Sequence, residues 1–438
     1  MLARLIARSR SGDVRIAVAN LFWLAIERLT QVGVAIVING VLARYFGPDI
    51  FGKWQYANTL LLVVAPITWV CGAEILVPTF VAAGVAHPTG PSDRRLIGRI
   101  FGSAFALRMA VAIAAMLVIW GGVAALGMDH MVVAMVIGLT ATLVFREPFA
   151  VVTSWLAART YSKPALLLSV TTGLAKALAV YLLARAALAP SLFGWIWALE
   201  SALIAVGLTL YYRRYGQAAG PGLGWHVDGP LLKQFASAGS VFWLGLICMY
   251  GFMKIDRLML QHYVSFAELG RYAAAQQLNE NWTTLALMLA QTVAPAFIYR
   301  ISDTVQLRRN LWRLLLLTGV VMSVGALIIG IFSSWVIHLV FGPGFETAAV
   351  FLRYAAWLSV PAGLEAVCNL VVLKYQAKTV LLVKWLAALA TAFLCNLILI
   401  PAFGGKGALL SMGIGYAVAI AIDAVYIRGR LFERETAQ

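Results

Sequence analysis

The chain has 438 residues, of which 62% are hydrophobic and only 12% charged, against roughly a quarter charged in soluble globular chains. That excludes a soluble protein, and at about 20 to 25 helical residues per crossing of a ~30 Å hydrocarbon core the length holds roughly 12 crossings and no separate soluble domain. The net charge of +16 falls in small clusters between apolar runs, which argues for loops retained on one side of a membrane and against a nucleic-acid partner.

Apolar runs predict six helices near 17–40, 54–81, 98–122, 131–152, 164–188 and 192–212. Helix 1 carries Asn20, Glu27, Arg28 and Gln31, helix 3 Arg108, helix 5 Lys176 and helix 6 Glu200, with Arg146 and Glu147 near the inner end of helix 4. A stretch rich in Gly and Pro follows, with Gly216, Gly220, Pro221, Gly222 and Gly224. It reads as a cytoplasmic linker, 217–234, between an N-terminal lobe, 1–216, and a C-terminal lobe, 235–438. Six more helices are predicted near 236–260, 271–298, 309–332, 347–373, 378–402 and 405–427. Helix 7 carries Lys254, Asp256 and Arg257, helix 8 Gln276, Glu280, Thr284 and Gln291, helix 10 Glu365, and the inner end of helix 12 Asp423.

Basic residues set the orientation. One side collects Arg4, Arg8, Arg10 and Arg15; Arg94, Arg95 and Arg99; Arg159 and Lys163; Arg213, Arg214 and Lys233; Arg300, Arg308, Arg309 and Arg313; Lys374, Lys378 and Lys384; and Arg428, Arg430 and Arg434. The other side has Arg44, Lys53, Arg185, Arg271 and Lys406. Both termini are therefore expected in the cytoplasm, in keeping with an even number of crossings. Cys71, Cys248, Cys368 and Cys395 each lie inside an apolar run and read as small core residues. Neither a phosphate-binding loop nor a paired-His metal motif is present, so no metal is expected.

An offset of 218 positions aligns Leu42, Tyr45, Gly52, Lys53 and Trp54 with Leu260, Tyr263, Gly270, Arg271 and Tyr272. Six helices intervene, an even number. The two halves then share one topology and are related by an axis along the membrane normal, which predicts two pseudo-symmetric six-helix lobes around a central cavity.

A charged side chain at mid-bilayer costs at least about 2.5 to 3.5 kcal/mol, so such residues face a protein interior or a watery cavity. Arg28, Arg108, Lys176 and Lys254 lie near mid-depth, with Arg257 nearer the outer end of its helix. Gln276, Glu280, Thr284 and Gln291 share one face of helix 8, as Asn20, Glu27 and Gln31 do on helix 1. The structural alternative is pairing between neighbouring helices, for example Asp256 neutralising Lys254 or Arg257. The basic excess suits an anionic substrate, and a lipid diphosphate fits because its tail can stay in the bilayer. Glu27, Asp256, Glu280 and Glu365 are candidates to bind a coupling H+ or Na+.

The run Val41-Leu-Ala-Arg44-Tyr45-Phe-Gly47-Pro48-Asp-Ile-Phe51-Gly52 resembles the signature after helix 1 of bacterial polysaccharide and O-antigen-type flippases of the multidrug/oligosaccharidyl-lipid/polysaccharide exporter superfamily. Lys254-Ile-Asp256-Arg257 with Tyr263, Gly270 and Tyr272-Ala273 is similar to a second stretch of that family. Phe341-Gly342-Pro343-Gly344-Phe345 and Pro401 to Ala408 are similar to two more. The resemblance implies two six-helix bundles that alternate between inward-open and outward-open shapes. It implies transport of undecaprenyl-diphosphate-linked oligosaccharide to the periplasmic leaflet of the inner membrane for surface polysaccharide synthesis, beside a polymerase or export complex. Only Asp256 and Arg257 carry over by motif. A cation-coupled multidrug exporter of the same superfamily is the alternative, expected to have a less cationic cavity richer in carboxylates. An integral-membrane polymerase or ligase is a third reading. It would need a large outer loop with Arg and His, whereas the outer loops here are short, so no enzyme is expected.

Overall fold

The computed structural model describes residues 12–85, 94–159, 161, 163–216 and 224–431, with side chains at most positions from 30 onward. The described backbone is helical throughout, as it must be where no water can satisfy exposed peptide groups. The first lobe comprises α1 (12–46), α2 (48–64), α3 (Ala73–Ala82), α4 (Arg94–Ala125), α5 (His130–Arg146), α6 (Ala150–Ala158), α7 (Lys163–Arg185) and α8 (Phe193–Tyr211). After α9 (Gly229–Ala238), the second lobe comprises α10 (Ser240–Leu260), α11 (Phe266–Ala294), α12 (Thr304–Ile331), α13 (Ser333–Phe341), α14 (Ala348–Lys374), α15 (Lys378–Phe403) and α16 (Gly405–Leu431).

Nine stretches among the described residues are long and apolar enough to cross a membrane. One of them, Thr30–Ala82, is two crossings folded back at Gly47. Adding α10 and the more polar, 29-residue α11 completes the twelve expected crossings. Gly47 makes the fold-back possible: its φ of 67° is open to glycine, and Pro48 then starts α2 with its φ already set. The hairpin is tighter than expected, because α1 runs to 46 and α2 begins at 48. Arg44 and Lys53 therefore sit on helices, not in a loop.

The lobes meet at this end, opposite the basic loops, around a reciprocal contact. A Cβ on Gly52 would lie 1.8 Å from the Phe266 carbonyl oxygen, and one on Gly270 would lie 2.3 Å from the Pro48 carbonyl oxygen. Pro48 and Gly52 are the 218-offset counterparts of Phe266 and Gly270, so the pseudo-two-fold axis passes between the two glycines. Each element touches its own image, as at any two-fold interface. The basic pair follows the same symmetry: Lys53 bonds Asp129 ahead of α5 (2.8 Å) and Arg271 bonds the Gly344 carbonyl ahead of α14 (3.0 Å). Arg44 crosses between lobes to the Leu339 carbonyl at 2.5 Å. Phe51 packs edge-on against Phe341 and Phe345, within one apolar core that both lobes share.

Towards the basic loops the core divides. Phe101, Trp155 and Phe235 belong to a first-lobe cluster, whereas Leu311, Val367 and Ile427 belong to a second-lobe cluster. The lobes still touch there on one flank, where Trp243 Nε1 donates to the Pro66 carbonyl (2.8 Å) and Trp69 meets Tyr250 edge-on. Apolar burial therefore joins the lobes at the tip and leaves them separately packed at the other end.

The latter part of the predicted linker is structured and belongs to the first lobe. Trp225 stacks on Phe101, Asp228 pairs with Arg99 and caps α9 through the Leu231 amide, and Phe235 is buried. The Leu231 N–H and the Arg99 guanidinium hold the Asp228 carboxyl below its ordinary value. A depressed carboxyl stabilises the docked segment above its unfolded value near 4 and loses that contribution as pH falls through the folded one. Trp225 should thus stay shielded from a water-soluble quencher between pH 7 and about pH 5 and become more accessible below about pH 4.

Candidate functional site

A cavity of about 660 Å³ lies in the first lobe and faces the second. Its lining positions repeat every three or four residues on each helix, as one helical face requires: Gln31, Val34 and Ile38 on α1, Ser169, Gly173 and Lys176 on α7, and Trp197, Glu200, Ser201 and Ile204 on α8. Asn39, Trp54, Asn58, Arg146 and Thr153 complete the first-lobe wall, and Gln277 closes it from α11. Of the described residues, eight amide or hydroxyl side chains and the Trp197 indole thus share a site within the membrane with nine aliphatic side chains and the buried Trp54.

Among the described residues its charged lining is Arg146, Lys176 and Glu200, with one positive charge in excess. Lys176 Nζ bonds Glu200 Oε2 at 2.6 Å and stands 5.2 Å from the centre of the Trp197 ring, so it is largely neutralised. Arg146, in the last turn of α5, is exposed and has no hydrogen bond or ion pair with any described residue. It also lines a second cavity of about 490 Å³ with Arg108, Glu74, Glu147, Trp69 and, from the second lobe, Tyr250. Arg146 is therefore a guanidinium with no partner among the described residues, placed where two cavities meet. Arg108, 4% exposed, donates to the carbonyls of Val70 (3.1 Å) and Glu147 (2.9 Å). Both carbonyls stand where a helix is interrupted, and the guanidinium replaces the bonds those breaks remove.

The second lobe holds its charges in two networks. In one, Glu280 Oε1 accepts from Lys254 Nζ (2.7 Å) and Arg257 Nη2 (2.5 Å), while Asp256 Oδ2 accepts from Tyr272 (2.5 Å) and Gln276 (3.4 Å). The counter-charge to Lys254 and Arg257 thus comes from Glu280 on the next helix. In the other, Lys384 Nζ bonds Glu365 (2.5 Å), Asp423 (2.9 Å) and Asn369 (2.9 Å). Lys384 and Asp423 are fully buried, which corrects the reading of Lys384 as a loop residue on the basic side. It lies on α15, turned inward, where it supplies the only ammonium between two carboxylates in that network.

The candidate site residues therefore fall into separate places. Gln31 and Lys176 line the first-lobe cavity and Arg108 the second. Lys254, Asp256, Arg257, Gln276, Glu280 and Glu365 belong to the second-lobe networks, and the Thr284 hydroxyl bonds its own helix at the Glu280 carbonyl. Asn20, Glu27, Arg28 and Gln291 have side chains outside the described residues. On α11, Gln276 points into the second lobe and its neighbour Gln277 lines the cavity, because adjacent helical residues lie about 100° apart. Asn39, Asn58, Trp197 and Gln277 were not singled out by sequence, while Trp54 was noted only in the repeat and Arg146 only as lying near the inner end of helix 4. The adjacent pair Gln276-Gln277 and the bare Arg146 were the signals available.

Twelve crossings in two like lobes, sealed at one end around a two-fold axis, thus enclose a partly polar cavity within the membrane. Comparison with solved structures finds the same fold. An inward-facing multidrug resistance MATE family transporter of the MOP superfamily superposes with a TM-score of 0.70 at 12% identity, covering 94% of this chain and 99% of its own. The lipid II flippase MurJ in its inward-closed conformation superposes with a TM-score of 0.68 at 12% identity, covering 95% of this chain and 87% of its own. The eukaryotic MATE transporter AtDTX14 follows with a TM-score of 0.57 at 14% identity, covering 93% and 96%. No protein-family model matches the chain, and its sequence matches no curated protein. The chain shares the fold of these transporters and of this flippase, in keeping with the resemblance carried by its motifs.

Proposed function

We propose that the protein is a flippase that moves a polyprenyl-diphosphate-linked oligosaccharide from the cytoplasmic to the periplasmic leaflet of the bacterial inner membrane, with both termini in the cytoplasm. The observation that carries this is the cavity lining: amides, hydroxyls and the half-buried Trp197 indole beside one guanidinium, Arg146, that has no partner among the described residues. Sugar hydroxyls donate and accept as amides do, sugar rings pack on indoles, and a diphosphate suits a free guanidinium. A solved neighbour of the same fold is named for a lipid-linked substrate, lipid II. Against the exporter reading, Glu200 is the only carboxylate of the larger cavity among the described residues, and Lys176 already holds it. The carboxylates of the two second-lobe networks are where H+ or Na+ coupling would be sought.

Deleting the gene and analysing the two leaflets tests this. Diphosphate-linked oligosaccharide should accumulate in the inner leaflet while surface polysaccharide is lost. A changed drug sensitivity with normal lipid distribution would favour the exporter. Complementation with Arg146→Ala should restore about a tenth or less of the polymer at wild-type protein level, because a charge-assisted contact of ~1.5–3 kcal/mol is lost and no packing with it.

A further inference from the structure

Three amides span the lobe interface at the floor of the larger cavity. The Gln55 side-chain nitrogen donates to Asn39 Oδ1 (3.2 Å) and, across the interface, to Gln277 Oε1 (3.0 Å). Gln55 is 3% exposed, whereas Asn39 and Gln277 reach the cavity. The Gln277 nitrogen and the Asn58 amide have no partner among the described residues, so both stand ready for a ligand. Gln55 lies three residues from Gly52 and Gln277 seven from Gly270, one or two turns beneath the glycine seal, or about 5–10 Å along the helices. A polar bond that joins the lobes thus sits between the cavity and the contact that closes the tip.

We propose that the Asn39–Gln55–Gln277 chain is a glycan-operated latch: sugar hydroxyls that bind Gln277 and Asn58 take the place of Gln55 and release the two lobes at the tip. The inference rests on the flippase reading for its ligand. A hydroxyl is both donor and acceptor, so it satisfies Gln277 Oε1 while accepting from the Asn58 amide; Gln55 keeps its bond to Asn39, and its freed N–H meets water as the tip opens. The exchange favours the released state because the ligand makes these bonds only when Gln55 has let go, which is the differential affinity that a shift of conformation requires. A diphosphate has no hydrogen to donate to Gln277 Oε1 when ionised, so the glycan works the latch and the lipid diphosphate alone does not. The cell would thereby transport glycosylated carrier in preference to bare carrier.

The test places spin labels at Asp49→Cys and His262→Cys, one on each side of the tip, after the four native cysteines are replaced by alanine. Tip distances are measured in vesicles with no addition, with polyprenyl diphosphate, and with polyprenyl diphosphate bearing a short oligosaccharide. Without ligand, Gln55→Met and Gln277→Met should each raise the open population about threefold or more. In the parent, whose latch is intact, only the glycan-bearing lipid should open the tip. The latch is overturned if both methionine variants stay as closed as the parent, and its dependence on glycan is overturned if both lipids open the parent equally. If the variants open and neither lipid moves the parent, the flippase reading fails and the interlobe latch stands.

Discussion

Replacing Gly52 with alanine is expected to lower transport about tenfold or more, equivalent to ~1.4 kcal/mol, with the amount of folded protein close to wild type. The new Cβ would lie 1.8 Å from the Phe266 carbonyl oxygen, a backbone atom that cannot turn aside. The closed tip must therefore separate, while an open tip accepts the methyl group and the helix itself gains from it. Gly270→Ala should behave alike, since its Cβ would meet the Pro48 carbonyl at 2.3 Å. Gly121→Ala on α4 is the control, for nothing lies within 4 Å of the Cβ it adds. Transport assays paired with tip-distance measurements check this. Normal transport by both tip variants would show that the Gly52–Gly270 contact is not part of the cycle.

The second large effect concerns stability. Lys384→Met should destabilise the protein by ~3–5 kcal/mol, the range for a buried ion pair that loses one partner. The side chain is 0% exposed, and its loss leaves Glu365 and Asp423 facing each other, with Asp423 also 0% exposed. The folded fraction that survives heating in detergent should fall sharply. Adding Glu365→Gln and Asp423→Asn to Lys384→Met should recover much of it, because a neutral polar cluster needs no counter-charge. An unchanged melting transition in Lys384→Met would show that the ammonium contributes no net stability.

Much of the architecture was legible because the bilayer enforces it. A span needs about 20 apolar residues whatever its neighbours, so the crossings could be counted. The 218-residue offset was legible because the tip is built twice, and the structure sets Gly52 against Gly270 on the axis between the halves. What each polar side chain faces was not. Lipid makes both faces of a helix apolar, so hydrophobic periodicity stops marking the inside, and Gln276 and Gln277 look alike until α11 is packed. Lys384 was unreadable for the same reason: six residues from the start of α15 it resembles an interfacial anchor, and only Glu365 and Asp423 from α14 and α16 reveal it as an interior ion. Arg146 was noted but not chosen as a site residue because it ends a helix, a usual place for a basic residue. Its lack of a partner among the described residues is a fact of three dimensions.

The most direct measurement is leaflet exchange in vesicles that contain only this protein and a polyprenyl diphosphate bearing a short fluorescent oligosaccharide, read with a membrane-impermeant quencher. The expected result is that quenching proceeds from the outer-leaflet fraction towards completion with the wild-type protein and much more slowly with Arg146→Ala. Quenching that stops at the outer-leaflet fraction with the wild-type protein, in vesicles that do accumulate a cationic dye, would contradict the flippase reading and leave an exporter in its place.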